Sequence, residues 1–157
     1  SLIYGPGDRG LVAKTLQIAR KLPFLPMIGS GQERLRPIVA ADVARAAMLC
    51  LEHKAVPGRT YMIGGKDEVT LNVFMTRLLE AGGLKRRLLH LPLWVCMIIA
   101  RMGNLFLKNP PITVDNVLGV IQAQGVDIRF AQRDWGFDPA GLEEGLKQTF
   151  PSDQAQA

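Results

Sequence analysis

Aromatic residues are scarce in this chain, cysteines and histidines are scarcer, and no uninterrupted apolar run reaches the length of a membrane-spanning helix. Each shortage removes a class of function. Phe, Trp and Tyr together make up 6% of the 157 residues, too few to lay stacking platforms along a nucleic-acid strand. The formal charge of +5 and the pI of about 9.6 come from Lys and Arg spread along the whole chain, whereas a nucleic-acid binder concentrates its cations on one surface. Nucleic acid is therefore not an expected partner. Cys50 and Cys96 stand far apart in apolar segments, with no CxxC pair and no set of ligands that completes a metal site. They read as reduced, buried thiols of a cytoplasmic protein, and no metal is expected. His53 and His90 are the two histidines and read as structural, and no Ser-His-Asp, thiol-histidine or carboxylate pair has an interpretable spacing.

The N-terminus lacks a basic stretch followed by an apolar run, so no secretory leader is read there. From Leu91 to Leu107, "LPLWVCMIIARMGNLFL" is mostly apolar, but Arg101, Gly103 and Asn104 interrupt it short of the roughly 18 to 20 residues a span requires. It reads as an amphipathic helix that is buried or faces a partner, with peripheral contact to a membrane or a protein as its other use. Lys85-Arg86-Arg87 just before it reads as a solvated turn, or as cations that favour an anionic lipid surface.

What is present alternates helical and extended patterns. Asp8 can cap a helix whose apolar positions Leu11, Val12, Thr15, Leu16, Ala19 and Leu22 follow the 3.6 period and stop before Pro23. "FLPMIGSGQERLRPIV" gives an extended piece, a Gly-Ser-Gly turn and a second extended piece from Arg36 to Val39. Asp42 then opens "DVARAAMLCLEH", where a carboxylate suits the positive end of a helix. "RTYMIGG" predicts a strand, Thr70 caps a helix carrying Leu71, Phe74, Met75, Leu78 and Leu79, and "KRRLLHLP" is extended. Thr113 caps a further helix in "NPPITVDNVLGVIQAQ". Asp138 and Pro139 open the last helix, with Leu142, Leu146 and Phe150 four apart. Trp94 and Trp135 read as packing anchors. Residues 1–150 make one portion and residues 151–157 a frayed tail. Short strands need neighbours to satisfy their backbone groups, so the opening strand is expected to belong to a sheet encoded upstream, or to pair its edge in a homo-oligomer.

In order, "IYGPGD", "RPIVAADVARAAMLCLE", "GRTYMIGGKDEVTLNVFMTRLLEAGG" and "RDWGFDPAGLEEGL" resemble the C-terminal half of extended short-chain dehydrogenase/reductases, the NAD-dependent epimerase/dehydratase family. The resemblance spans about residues 2–150. "PPITVDNV" and the apolar segment before it look most like the atypical branch that includes an accessory subunit of respiratory complex I. The resemblance implies an α/β fold: the helix-rich, substrate-binding C-terminal portion of a doubly wound NAD(P)-binding fold, with a few short strands and most of the parallel sheet missing.

In such proteins the N-terminal half carries the Gly-rich phosphate loop and a Tyr-x-x-x-Lys pair. The fragment Gly5-Pro6-Gly7-Asp8-Arg9-Gly10 fits the letters G-x-G-x-x-G, but Pro6 removes an amide donor and the resemblance places the loop elsewhere. Tyr4 and Tyr61 are the only tyrosines and have Asp8 and Gly65, not lysine, four residues on. No catalytic residue is expected, and the 157 residues alone should be inactive. The resemblance implies NAD or NADP proximity through Ile3 and the Tyr4 backbone, with Gly5 to Arg9 leading into the substrate cleft. It also implies that Arg34 or Arg36 grips the phosphate of a nucleotide sugar, whose oxygens suit a guanidinium fork. The usual arginine position falls on Leu35, between the two. The other function expected is a non-catalytic assembly or membrane-peripheral module.

Overall fold

A computed structural model describes residues 2–54, 58–92, 94–96 and 126–150. The fold is α/β, with short strands in three two-stranded sheets and helices packed over them. The sheets join distant parts of the chain. Strand β1 (Ile3–Tyr4) runs parallel to β4 (Ile38–Val39), with Tyr4 beside Val39. Strand β2 (Phe24–Ile28) runs parallel to β6 (Arg87–Leu91), and β3 (Arg34–Leu35) pairs antiparallel with β5 (Val69–Thr70). Parallel neighbours need a crossover, which the helices supply.

Helix α1 (Leu11–Lys21) buries Val12, Thr15, Leu16 and Ala19, the stripe expected of a one-sided helix. It stops at Lys21, two residues before Pro23, which has no amide to continue the ladder. Helix α2 (Ala40–Glu52) follows β4 directly and buries Asp42 and Ala46. In α3 (Leu71–Ala81) the Thr70 hydroxyl accepts the Val73 amide at 3.3 Å, and Phe74, Met75, Leu78 and Leu79 face inward. Helix α4 (Arg129–Trp135) ends at Gly136 in the left-handed region, φ 67°, which glycine adopts without side-chain strain. Helix α5 (Leu142–Thr149) closes the described chain.

Two cores result. One gathers Tyr4, Val12, Leu16, Leu25, Phe74 and Leu142, with Tyr4 edge-on to Phe74 at 5.7 Å. The other gathers Ile38, Ala46, Ala131, Trp135 and Phe137, with Tyr61 edge-on to Trp135 at 5.8 Å. Edge-to-face rings add about 0.5–1.5 kcal/mol to the burial term.

Four local expectations are corrected. "RTYMIGG" forms no strand: its backbone makes the isolated bond Gly65 N–H to Arg36 carbonyl, 3.2 Å, while Tyr61 turns its ring to Trp135. The extended piece from Arg36 to Val39 narrows to β4, because Pro37 and the preceding Arg36 stand outside any ladder. The last helix starts at Leu142 and not at Asp138-Pro139. The amides at and before its start are claimed from afar: Asp67 accepts Leu142 N–H at 2.8 Å and Asp42 accepts Ala140 N–H at 2.7 Å. Trp135 is a packing anchor at 5% exposure, whereas Trp94 is 67% exposed. Both cysteines are free thiols, Cys96 buried and Cys50 half-buried. Most of the 91–107 segment, the Thr113 helix and the 151–157 tail lie outside the described residues. Among those described, no helix is long and apolar enough to cross a membrane.

Candidate functional site

Two places collect the residues singled out in the sequence. At the end of β1, Ile3 is 55% exposed, whereas the Tyr4 side chain is buried in the core and offers only its backbone. Gly5 is buried where a Cβ would sit 3.2 Å from the Ala40 Cβ. Gly5, Gly7 and Asp8 line a cavity of about 230 Å³ with residues of α1 and the end of α5. Arg9 is exposed and does not line it.

A phosphate cradle needs free amides at the helix N-terminus. Here Asp8 has taken them: its carboxylate accepts Gly10 N–H at 2.6 Å and Val12 N–H at 3.0 Å. The protein's own anion stands where a pyrophosphate would stand. The G-x-G-x-x-G letters thus encode a self-capped turn, with Gly7 at φ 74°.

The second place is larger. Arg36 lines an open cavity of about 550 Å³ with Lys66, Glu68, Asp127, Arg129 and Gln132 among its walls. Its guanidinium donates to the Lys66 carbonyl at 2.8 Å and the Gly65 carbonyl at 3.4 Å, and pairs with Glu68 at 3.3 Å. Gly65 permits this approach, since a Cβ there would lie 1.9 Å from the Pro37 carbonyl oxygen. On the facing wall Arg129 forks onto Asp127, with contacts of 2.7 to 3.2 Å. The Arg129 guanidinium holds the Asp127 carboxyl down at about 2. Lys66 pairs with Asp138 at 3.4 Å. Three cations therefore face one cavity, each held by an exposed or half-exposed carboxylate.

Arg34 is not part of this wall. It is 76% exposed in its side chain and pairs with Glu68 from outside at 3.4 Å. Of the two arginines the sequence left open, Arg36 reaches the cavity. Gly5 and Arg36 line separate cavities. Lys66, Asp127, Arg129 and Gln132 were not legible as site residues, because Asp127-x-Arg129 is a local pair that many exposed turns carry.

Neither tyrosine is set up for proton transfer. Burial, reinforced by Asp42 and Asp67, pushes the Tyr4 hydroxyl up to about 12, away from neutral pH and from the poise such chemistry needs. Tyr61 donates to Asp134 at 3.0 Å. His90 contacts Asn72 at 2.8 Å, and among the described residues no cluster of His, Cys, Asp or Glu could hold a metal ion.

No family model matches the chain. It is 27% identical over 170 residues to an Arabidopsis thaliana 3beta-hydroxysteroid-dehydrogenase/decarboxylase, covering 97% of this chain and 30% of that relative. It is 27% identical over 133 residues to the Mus musculus decarboxylating sterol-4-alpha-carboxylate 3-dehydrogenase, covering 82% of this chain and 35% of that relative. Among solved structures, Bacillus cereus UDP-glucuronic acid 4-epimerase in complex with NAD aligns with TM-score 0.64 and 21% identity, over 99% of this chain and 42% of that one. UDP-glucose 4-epimerase from Thermotoga maritima, solved with UDP-glucose, aligns with TM-score 0.63 and 23% identity, over 95% and 42%. The fold is that of part of an epimerase/dehydratase chain. This chain spans about a third of the length of the curated relatives, which are named as dehydrogenase/decarboxylases of steroids and sterols, whereas these solved neighbours are nucleotide-sugar epimerases.

Proposed function

We propose that the chain is the substrate-binding portion of an NAD(P)-dependent oxidoreductase of the epimerase/dehydratase type, acting on a nucleotide sugar or a related substrate through transient oxidation of a carbinol carbon. The Arg36 cavity carries this reading. A diphosphate bridging Arg36 and Arg129 would replace the weak exposed pairs these cations now make, which contribute little, with charge-assisted bidentate contacts. A sterol, the substrate named for the curated relatives, needs an apolar channel. The walls of this cavity offer it only Val126 and Ile128 among the lining residues.

NAD or NADP, once bound, would supply the hydride acceptor for oxidation of the carbinol. The residues here fit a supporting role toward it: Ile3 presents an exposed apolar face beside the Tyr4 backbone, while Asp8 closes the local amides to phosphate. The pyrophosphate cradle and the proton-transferring tyrosine then belong to the nucleotide-binding half of the whole protein. Gly5 and Arg9 keep only the role the resemblance implies, a turn toward the substrate half, because Gly5 lines a cavity separate from that of Arg36; Arg34 would contribute field rather than contact.

Calorimetric titration with UDP-glucose tests the reading. Arg36→Ala and Arg129→Ala should each weaken binding by roughly tenfold or more, the worth of a charge-assisted hydrogen bond; unchanged affinity in both contradicts it. The 157 residues alone should show no NAD(P)-dependent turnover.

The exposed Trp94, within the apolar 91–107 segment, favours a second reading: a non-catalytic assembly module like the complex I accessory subunit. Loss of Tyr-x-x-x-Lys from the whole protein with a retained Gly-rich loop would select it. A homo-oligomer pairing the open edge of β1 is the third arrangement, and a pure monomer by light scattering would contradict it.

A further inference from the structure

The outer face of the β2–β6 pair carries a feature the substrate site does not use. Leu22 is 39% exposed, Phe24 36% and Leu89 45%. Five cations adjoin them in sequence or in register, of which Arg20 also lines the Gly5 cavity. Arg20 and Lys21 are the last residues of α1, and Leu22 and Pro23 lead directly into β2. Arg86 donates its Nε–H to the Ala19 carbonyl at 2.8 Å, which brings the turn before β6 onto the end of α1. Arg87 pairs in register with Phe24, and Pro23, Lys85, Arg86 and Arg87 share the wall of one cavity of about 480 Å³. The nearby carboxylate Glu80 is engaged by Arg77 at 3.1 Å. Arg20, Lys21, Lys85 and Arg87 form no ion pair with any described carboxylate.

We infer that this face, Leu22, Phe24 and Leu89 ringed by Arg20, Lys21, Lys85, Arg86 and Arg87, docks the protein on an anionic phospholipid surface. The chemistry is specific to a bilayer interface: apolar side chains enter the headgroup boundary while cations meet the negative surface around them. Arg36, Arg45, Arg59, Lys66 and Arg129 all have carboxylate partners, whereas Arg9, Lys14, Lys54 and Lys147, like the cations of this face, form no ion pair with a described carboxylate. The chain after β6 continues into the apolar 91–107 sequence with Trp94 already exposed, so apolar character extends from the patch along the chain. A nucleic acid would use the cations but leave Leu22 and Leu89 without a role, and the patch has a single aromatic ring on which a base could stack.

Vesicle co-sedimentation of the whole chain tests this independently of any nucleotide-sugar binding. The protein should bind phosphatidylserine-containing vesicles and not pure phosphatidylcholine vesicles, with affinity falling as salt rises. Lys85→Gln with Arg87→Gln should weaken binding by roughly 25-fold, about fivefold for each cation removed. The same double change at the exposed Lys54 and Lys147 should leave it intact. Arg20→Gln with Lys21→Gln, at a helix end where no core contact is lost, gives the same loss if the first variant unfolds. Equal binding by patch and control variants, no binding to phosphatidylserine vesicles, or preferential capture by a single-stranded RNA oligonucleotide overturns the inference.

Discussion

The carboxylate of Asp42, in the first turn of α2, accepts the backbone amide of Ala140, 98 residues further along the chain, at 2.7 Å. The same side chain pairs with Arg45 at 2.7 Å, and Arg45 also donates to the Asp138 carbonyl. Asp42 is buried at 6% exposure. One carboxylate thus joins the middle of the chain to the loop that launches α5. Asp42→Ala should lower stability by about 2–3 kcal/mol, the worth of charge-assisted bonds plus an amide left unsatisfied. For a domain of this size that is a fall in Tm of roughly 4–12 °C by calorimetry. A change within error would show that Ala140 and Arg45 find other partners.

Gly65 is tied to the Arg36 wall. A Cβ there would meet the Pro37 carbonyl oxygen at 1.9 Å, and backbone cannot yield as a side-chain tip can. Gly65→Ala should both destabilise the fold by about 1–3 kcal/mol and displace the Lys66 carbonyl from the Arg36 guanidinium. Chemical denaturation reads the first effect, and UDP-glucose titration the second. Ligand binding that survives a destabilised fold would separate the wall from the site.

Tyr4 and Gly145 should be energetically coupled. A Cβ on Gly145 would sit 2.2 Å from the Tyr4 hydroxyl oxygen and 3.1 Å from its ring carbon. The hydroxyl's own bond, to the Leu142 carbonyl, is long at 3.5 Å, so Tyr4→Phe should cost under about 1 kcal/mol. Gly145→Ala should cost more, and the double variant less than the sum of the singles. A double-mutant cycle with zero coupling contradicts this placement.

The same tyrosine sets the alkaline limb of stability. Its hydroxyl is pushed up to about 12 in the fold, mainly by burial, against an unfolded value near 10. Below pH of about 10 both states hold the proton and the contribution is complete. Between about 10 and 12 only the unfolded state ionises, and roughly 2–3 kcal/mol is lost. Urea titrations across this range should show Tyr4→Phe losing less than wild type; parallel curves would exclude Tyr4 as the source.

The helices were legible because their periods are unambiguous: Val12, Thr15, Leu16 and Ala19, or Phe74, Met75, Leu78 and Leu79, leave no other face to bury. "KRRLLHLP" was legible as extended for the same local reason, though its parallel partner β2 was not. Errors arose where a distant group decided the outcome. Asp67 and Asp42 delayed α5 to Leu142 by capturing amides from across the fold, and no window of sequence around Asp138 contains them. The Arg36 site was half legible. An arginine before β4 could be named, but Lys66 and Arg129 join it only through the Gly65–Arg36 contact and the packing of α4.

Arg36, Lys66 and Arg129 line one cavity, and we expect them to bind phosphate together. NMR of the arginine and lysine side-chain donors together with the backbone amides, during titration with UDP-glucose, tests this most directly. Saturable shifts are expected at Arg36, Lys66 and Arg129, with Gly5, Gly7 and Gly10 unmoved and the shifts abolished by Arg36→Ala. Shifts confined to the Gly5–Gly10 turn, or none at the three cations, would contradict it.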